Sequence, residues 1–127
     1  MNENLNFGCS CFSLTSKQKN VYWFRTCDMN DVLNVWKTGS QIMSIPKDIM
    51  IKFQNIKEIK NKYNILGVTF GNSTTKLLDG INEKGLVGGL LFLLEGTSIN
   101  QEEKEKLDSN YIQIEGMEFL TYILSRV

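Results

Sequence analysis

Histidine is missing from all 127 residues, proline occurs once, and the 14 Lys and Arg are matched by 14 Asp and Glu. Without histidine, no Ser–His or Cys–His catalytic pair can be assembled within this chain. Zero net charge provides no long-range field to draw in nucleic acid or an anionic membrane, so neither is an expected partner. The longest apolar run, Gly85 to Leu94 (GLVGGLLFLL), has ten residues, far short of the roughly 20 that a membrane-spanning helix needs. It reads instead as a buried strand. The first eight residues, MNENLNFG, have neither a basic start nor an apolar stretch, so no secretory signal is evident and a cytoplasmic location is expected.

What is present suits an ordered globular chain. Apolar residues make up 42%, and the length accommodates one domain with a real core but not two. The three cysteines are Cys9, Cys11 and Cys27. An odd count without a secretory signal argues against a disulfide framework. The C-x-C spacing of Cys9 and Cys11 has neither histidine nor a second cysteine pair to complete a zinc site. No metal or cofactor is expected. A nucleophilic cysteine in such a chain needs a base other than histidine. An N-terminal α-amino group, with an ordinary pKa of about 7.7–8, is one of the few groups suited to that task at neutral pH.

Read for periodicity, Cys9 to Thr15 is a strand, Ser16 to Asn20 a polar turn, and Val21 to Thr26 (VYWFRT) a second strand of a hairpin. That pairing returns Arg25, Cys27 and Asp28 to the beginning of the first strand. Gln41 to Pro46 reads as a strand stopped by the single proline. Ile49 to Lys62 fits a helix carrying Ile49, Phe53, Ile56 and Ile59, or equally two short strands. Asn64 to Gly71 is a strand. Leu77 to Ile81, the turn Asn82 to Gly85 and the run from Leu86 to Leu94 form another hairpin. Gln101 to Asp108 (QEEKEKLD) is a solvated loop or surface helix. From Glu115, the residues Met117, Leu120, Ile123, Leu124 and Val127 follow helical spacing, with Phe119 beside them and no stop signal before the last residue.

Three blocks resemble the choloylglycine hydrolase / penicillin V acylase family of N-terminal-nucleophile hydrolases. In that family a cysteine opens a strand, and the next strand ends in an aromatic residue, Arg, two variable residues and Asp. Here Phe24, Arg25 and Asp28 fill that pattern, with Arg25 sixteen residues after Cys9. Gln41 to Lys47 (QIMSIPK) is similar to a family strand ending in Pro-Arg, with Lys47 in place of the arginine. Asp79 to Leu86 (DGINEKGL) matches the family's DG-x-NEKGL motif at every fixed position. The helix near Glu115 is a weaker match.

The resemblance implies an α+β fold, part of the layered αββα sandwich of two antiparallel sheets between helices. It implies a short pro-segment, residues 1–8, followed by the N-terminal part of the domain, residues 9–127. The family's later Asn and Arg lie beyond Val127, so a catalytically inactive remnant is the alternative reading. Cleavage after Gly8 would free the α-amino group of Cys9 to accept the thiol proton, and the thiolate would attack an amide carbonyl to give a thioester. Arg25 would favour the anionic sulfur and Asp28 would orient the amine. Asp79, Asn82 and Gly85 would shape the hairpin rather than do chemistry. Phe92 stands thirteen residues after Asp79, where bile salt hydrolases carry Asn and penicillin V acylases Tyr. Its backbone N–H would contribute to the oxyanion hole, and its ring suits an apolar acyl group. The implied partner is therefore a small amide with an apolar acyl part, penicillin V-like first and a conjugated bile salt second. Homo-oligomerisation is a further family expectation. The bland alternatives are Cys9 as a small buried hydrophobe and Arg25 with Asp28 as a surface ion pair. Cys11 and Cys27 are expected to be core or supporting residues.

Overall fold

The computed structural model describes residues 8–28, 39–91 and 112–127. The chain divides into two compact units, the first including residues 8–28 and the second including residues 39–90 and 112–127. Among the described residues the class is mixed α+β, with several antiparallel sheets and one α-helix near the C-terminus.

In the first unit, β1 (Gly8–Thr15) pairs antiparallel with β2 (Val21–Asp28) along its whole length. The turn explains the register. Lys19 N–H donates to Ser16 O at 2.9 Å and Ser16 N–H donates to Asn20 O at 2.8 Å, while Lys19 takes a left-handed φ of 65°. This is the three-residue loop in which a tight turn is followed by a left-handed residue. The Ser16 hydroxyl also accepts from Asn20 N–H at 3.1 Å. Strand alternation then sorts the side chains. Phe12, Leu14, Tyr22 and Phe24 share one exposed face, on which Phe12 and Phe24 stack at 5.0 Å between ring centroids. Cys9, Cys11, Ser13, Trp23 and Arg25 share the other.

In the second unit a four-stranded antiparallel sheet runs in the order β3 (Ile42–Ile45), β6 (Ile65–Thr69), β7 (Leu77–Asn82), β8 (Val87–Gly89). A two-stranded ladder, β4 (Met50–Ile51) with β5 (Ile59–Lys60), stands separately. The segment from Ile49 to Lys62 thus takes the two-strand alternative. Ile49, counted as core in the helical reading, is 43% exposed, whereas Ile51 and Phe53 are buried. A single 3-10 turn (Gly116–Glu118) leads into α1 (Phe119–Arg126).

The helix packs on one face of the sheet, where Ile45, Ile51, Phe53, Ile65, Leu77, Leu120 and Leu124 form the core. Each such apolar side chain contributes roughly 1.5–3 kcal/mol by leaving water. The close approach of α1 depends on two glycines that face each other across β7 and β8, Gly80 and Gly88. A side-chain carbon on Gly80 would lie 2.7 Å from a Leu124 methyl, and one on Gly88 2.7 Å from a Leu120 methyl. A bulge adds to the fit. Val68 pairs with Asp79 and Thr69 with Leu77, leaving Leu78 as the extra residue. This shift lets Leu77 join the core beneath the helix, while Leu78 is buried outside that cluster.

Two expectations need correction. The described part of the run after Gly85 is not a buried strand: β8 ends at Gly89, its residues are only half-buried, and Leu91 is exposed, while residues 92–94 lie outside the described residues. The paired glycines let α1 lie close but leave β8 with one side chain, that of Val87, too little to build a buried strand. The buried stripe of the helix also differs from the apolar spacing. Leu120 and Leu124 are buried as expected, but Thr121 and Ser125 accompany them and Val127 is exposed. The charged stretch Gln101 to Asp108 lies outside the described residues.

Candidate active site

The hairpin register builds the first cluster. Cys9 is directly opposite Cys27, and Cys11 opposite Arg25. Arg25 therefore sits diagonally from Cys9 on the same face, within reach of a long side chain. Its Nη2 donates to Cys9 Sγ at 3.5 Å. Both residues are half-buried, as is Trp23 two positions along the same face. The contact places a permanent positive charge beside the sulfur, since a guanidinium does not deprotonate in proteins. Ser10 N–H donates to Thr26 Oγ1 at 3.3 Å, adding a side-chain tie between the strands beside the cluster.

Cys11, expected in the core or as support, is exposed on its strand. The hairpin is two strands wide, and nothing within it covers that position. Asp28 ends β2 and pairs with Gly8, the residue immediately before Cys9. Phe92 lies outside the described residues.

The DGINEKGL segment forms a separate cluster around Asn82, which is buried. The Asn82 carboxamide oxygen accepts from Lys84 N–H and Leu86 N–H, each at 3.0 Å. Its amide nitrogen donates to Leu124 O at 3.1 Å and Val127 O at 2.6 Å. One side chain therefore shapes the β7–β8 turn and satisfies main-chain oxygens at the end of α1, which an α-helix cannot satisfy internally. Gly85 supplies the left-handed conformation of the turn, with φ of 85°, and donates to Asn82 O at 2.9 Å. Asp79 is half-buried on β7, opposite Val68 and Gly89.

Sequence reasoning passed over several polar residues that hold this unit together. Asn64 joins the two motif blocks: its oxygen accepts from Lys47 N–H at 2.9 Å and its nitrogen donates to Glu83 Oε2 at 2.7 Å. Asn61, fully buried, donates to Pro46 O at 2.8 Å. Glu118, also buried, accepts from Gln54 N–H at 3.0 Å and from the Thr75 hydroxyl at 2.9 Å. The only available signal was an asparagine or glutamate beside an apolar run, which is common at exposed sites too. An open cleft of about 720 Å³, lined by Ile56, Lys57, Ile59, Ile112, Tyr122 and Arg126 among others, contains none of the expected site residues. Among the described residues, no cluster of His, Cys, Asp and Glu could hold a metal ion, and no helix is long and apolar enough to cross a membrane.

Comparison with known proteins places this geometry in context. No solved structure matches the chain. The profile of the linear amide C-N hydrolases, choloylglycine hydrolase family, matches residues 9–127, opening on the cysteine that Arg25 contacts. The chain belongs to that family of amide hydrolases.

Proposed function

We propose that Cys9 is the N-terminal nucleophile of a cytoplasmic acylase and that residues 1–8 are a pro-segment removed to expose it. The observation that carries this reading is the 3.5 Å contact from Arg25 Nη2 to Cys9 Sγ. The start of the family match at Cys9 adds support. On this reading residues 9–127 form the N-terminal part of an αββα sandwich.

After cleavage, the α-amino group of Cys9 takes the thiol proton and the sulfur attacks the amide carbonyl carbon. Arg25 stabilises negative charge on the sulfur before attack and again when the thioester breaks. The carbonyl oxygen becomes an oxyanion, for which the Phe92 backbone N–H is assigned as a donor. Collapse of the tetrahedral intermediate breaks the C–N bond, and the proton held by the α-ammonium passes to the departing amine. Water, activated by the regenerated α-amino group, then attacks the thioester and releases the acid and the free thiol. Asp28, whose backbone lies opposite Gly8, is assigned to orienting the amine. The ring of Phe92 favours an apolar acyl group such as phenoxyacetyl over the steroid acid of a conjugated bile salt.

The test is mass spectrometry of the purified protein before and after exposure to a thiol-directed phenoxyacetyl analogue. The expected result is an N-terminus at Cys9 carrying a single acyl adduct that Cys9→Ser abolishes. An intact N-terminus together with an unlabelled Cys9 overturns the assignment. Faster turnover of glycocholate than of penicillin V would overturn the substrate preference alone.

A further inference from the structure

The register of β1 and β2 brings together two cysteines that the hydrolytic reaction does not need as a pair. We propose that Cys9 and Cys27 form a reversible cross-strand disulfide, which makes the hairpin a thiol-modification site sensitive to small-molecule disulfides. The pairing is set by backbone position. Cys9 and Cys27 are direct partners in the antiparallel ladder. Ser16 N–H donates to Asn20 O next to the turn, so Ser16 and Asn20 are a hydrogen-bonded pair. Alternation from there makes Cys9 and Cys27 a non-hydrogen-bonded pair. Such pairs hold their Cα atoms about 4.5 Å apart, inside the roughly 4.4–6.8 Å window that a disulfide spans. No strand movement is required. Cys11 stands two residues along the same strand from Cys9 and faces Arg25 rather than a cysteine, so it has no equivalent partner.

The chemistry needs an oxidant, and a low-molecular-weight disulfide such as oxidised glutathione supplies it. The Cys9 thiolate attacks one glutathione sulfur, the glutathione S–S bond breaks, and one glutathione thiolate leaves and takes up a proton. Cys27, on losing its proton, attacks the Cys9 sulfur of the mixed disulfide and displaces the second glutathione. Two protein thiols are oxidised and one glutathione disulfide is reduced to two thiols. Arg25 touches Cys9 Sγ and so sets a fixed positive charge beside the sulfur that attacks first. The linkage itself does not depend on cleavage before Cys9. Its consequence does rest on the nucleophile reading: a sulfur held by Cys27 cannot attack an amide, so oxidation would silence the enzyme and thiols would restore it.

The experiment treats the full chain with oxidised glutathione, follows intact mass, and maps the peptides without reduction. The wild type is expected to yield a Cys9–Cys27 linked peptide, two hydrogen atoms lighter than the separate thiols, with glutathione taken up only at the exposed Cys11. Cys27→Ser should instead accumulate a stable glutathione adduct on Cys9, and Cys11→Ser should yield the same linked peptide as the wild type does. A persistent glutathione adduct on wild-type Cys9, or a linked peptide joining Cys9 to Cys11, overturns the proposal. Labelling by the phenoxyacetyl analogue separates the two readings. Oxidised wild type should label at least tenfold less than reduced, with recovery in dithiothreitol and no such loss in Cys27→Ser treated with dithiothreitol and mock-oxidised in parallel. If the disulfide forms but reduced Cys9 never labels, the nucleophile assignment fails and the linkage stands. If Cys9 labels but no disulfide forms, the linkage alone fails.

Discussion

Arg25 reaches Cys9 across a single hairpin, guanidinium nitrogen to sulfur at 3.5 Å, although sixteen residues separate them in the chain. The separation and the geometry are one fact. Seven residues carry β1 from Cys9 to Thr15, five make the turn, and Arg25 is the fifth residue of β2. Inserting one residue in either strand would move Arg25 to the opposite face.

The charge beside the sulfur should be visible in its reactivity. Replacing Arg25 with Met removes the guanidinium that touches the sulfur and is expected to slow alkylation of Cys9 by iodoacetamide several-fold at neutral pH, with Arg25→Lys between the two. Peptide-resolved mass spectrometry separates Cys9 from the exposed Cys11, whose rate serves as an internal control. Equal Cys9 rates in Arg25→Met and wild type would remove the electrostatic role.

Asn82 is expected to be the most sensitive polar residue of the second unit. Asn82→Ala removes all four of its side-chain hydrogen bonds and should cost on the order of 3 kcal/mol, because main-chain groups are left unpaired as well. Asn82→Asp should be at least as damaging, since it sets a carboxylate oxygen against the oxygens of Leu124 and Val127. Urea midpoints at constant slope measure both.

Gly80 tests the packing of helix on sheet. Gly80→Ala drives a methyl to 2.7 Å from Leu124 Cδ1, with an expected loss of about 1–3 kcal/mol. Leu124→Ala alone should cost about 2–5 kcal/mol. The double variant should lose clearly less than the sum, because truncating Leu124 makes room for the new methyl.

Asp48 provides a pH test. The hydrogen bond from Lys60 lowers its carboxyl pKa, against an opposing effect of desolvation and with help from the charges of Lys60 and Lys47; the Lys60 Nζ to Asp48 Oδ1 distance is 2.8 Å. A folded-state pKa below the unfolded one means the stabilisation is present above the ordinary value of about 3.9 and fades as pH falls through the lowered one. Carboxyl-carbon NMR should therefore place the Asp48 midpoint below that of an unstructured aspartate, and Lys60→Met should move it back up.

The sequence was legible where one strand's own pattern decides the outcome. Val21 to Thr26 and Asn64 to Gly71 read as strands because branched and aromatic side chains alternate or cluster there, and Asn82 to Gly85 read as a turn because Asn and Gly supply turn geometry. Ile49 to Lys62 stayed open because its outcome is decided by bonds that join its two ends. Asp48 N–H bonds to Asn61 O, Asn61 N–H bonds to Ile49 O, and Asn61 reaches Pro46 O with its side chain. No local period records those bonds. Gly80 was read as part of a motif, but the Leu124 methyl that requires it lies on an element far along the chain. The spacing from Cys9 to Arg25 was readable as a resemblance, and the diagonal register gives it a physical cause.

The Asn82 bond to Val127 spans 45 positions, and it has a consequence for synthesis. During translation the strands of the second unit leave the ribosome well before α1 does, so the turn at Asn82 waits with its amide hydrogens committed to water. Closure of this unit is thus a late, long-range event governed by loop-closure entropy. A nascent chain paused short of Leu124 would present an open apolar sheet face to chaperones and proteases.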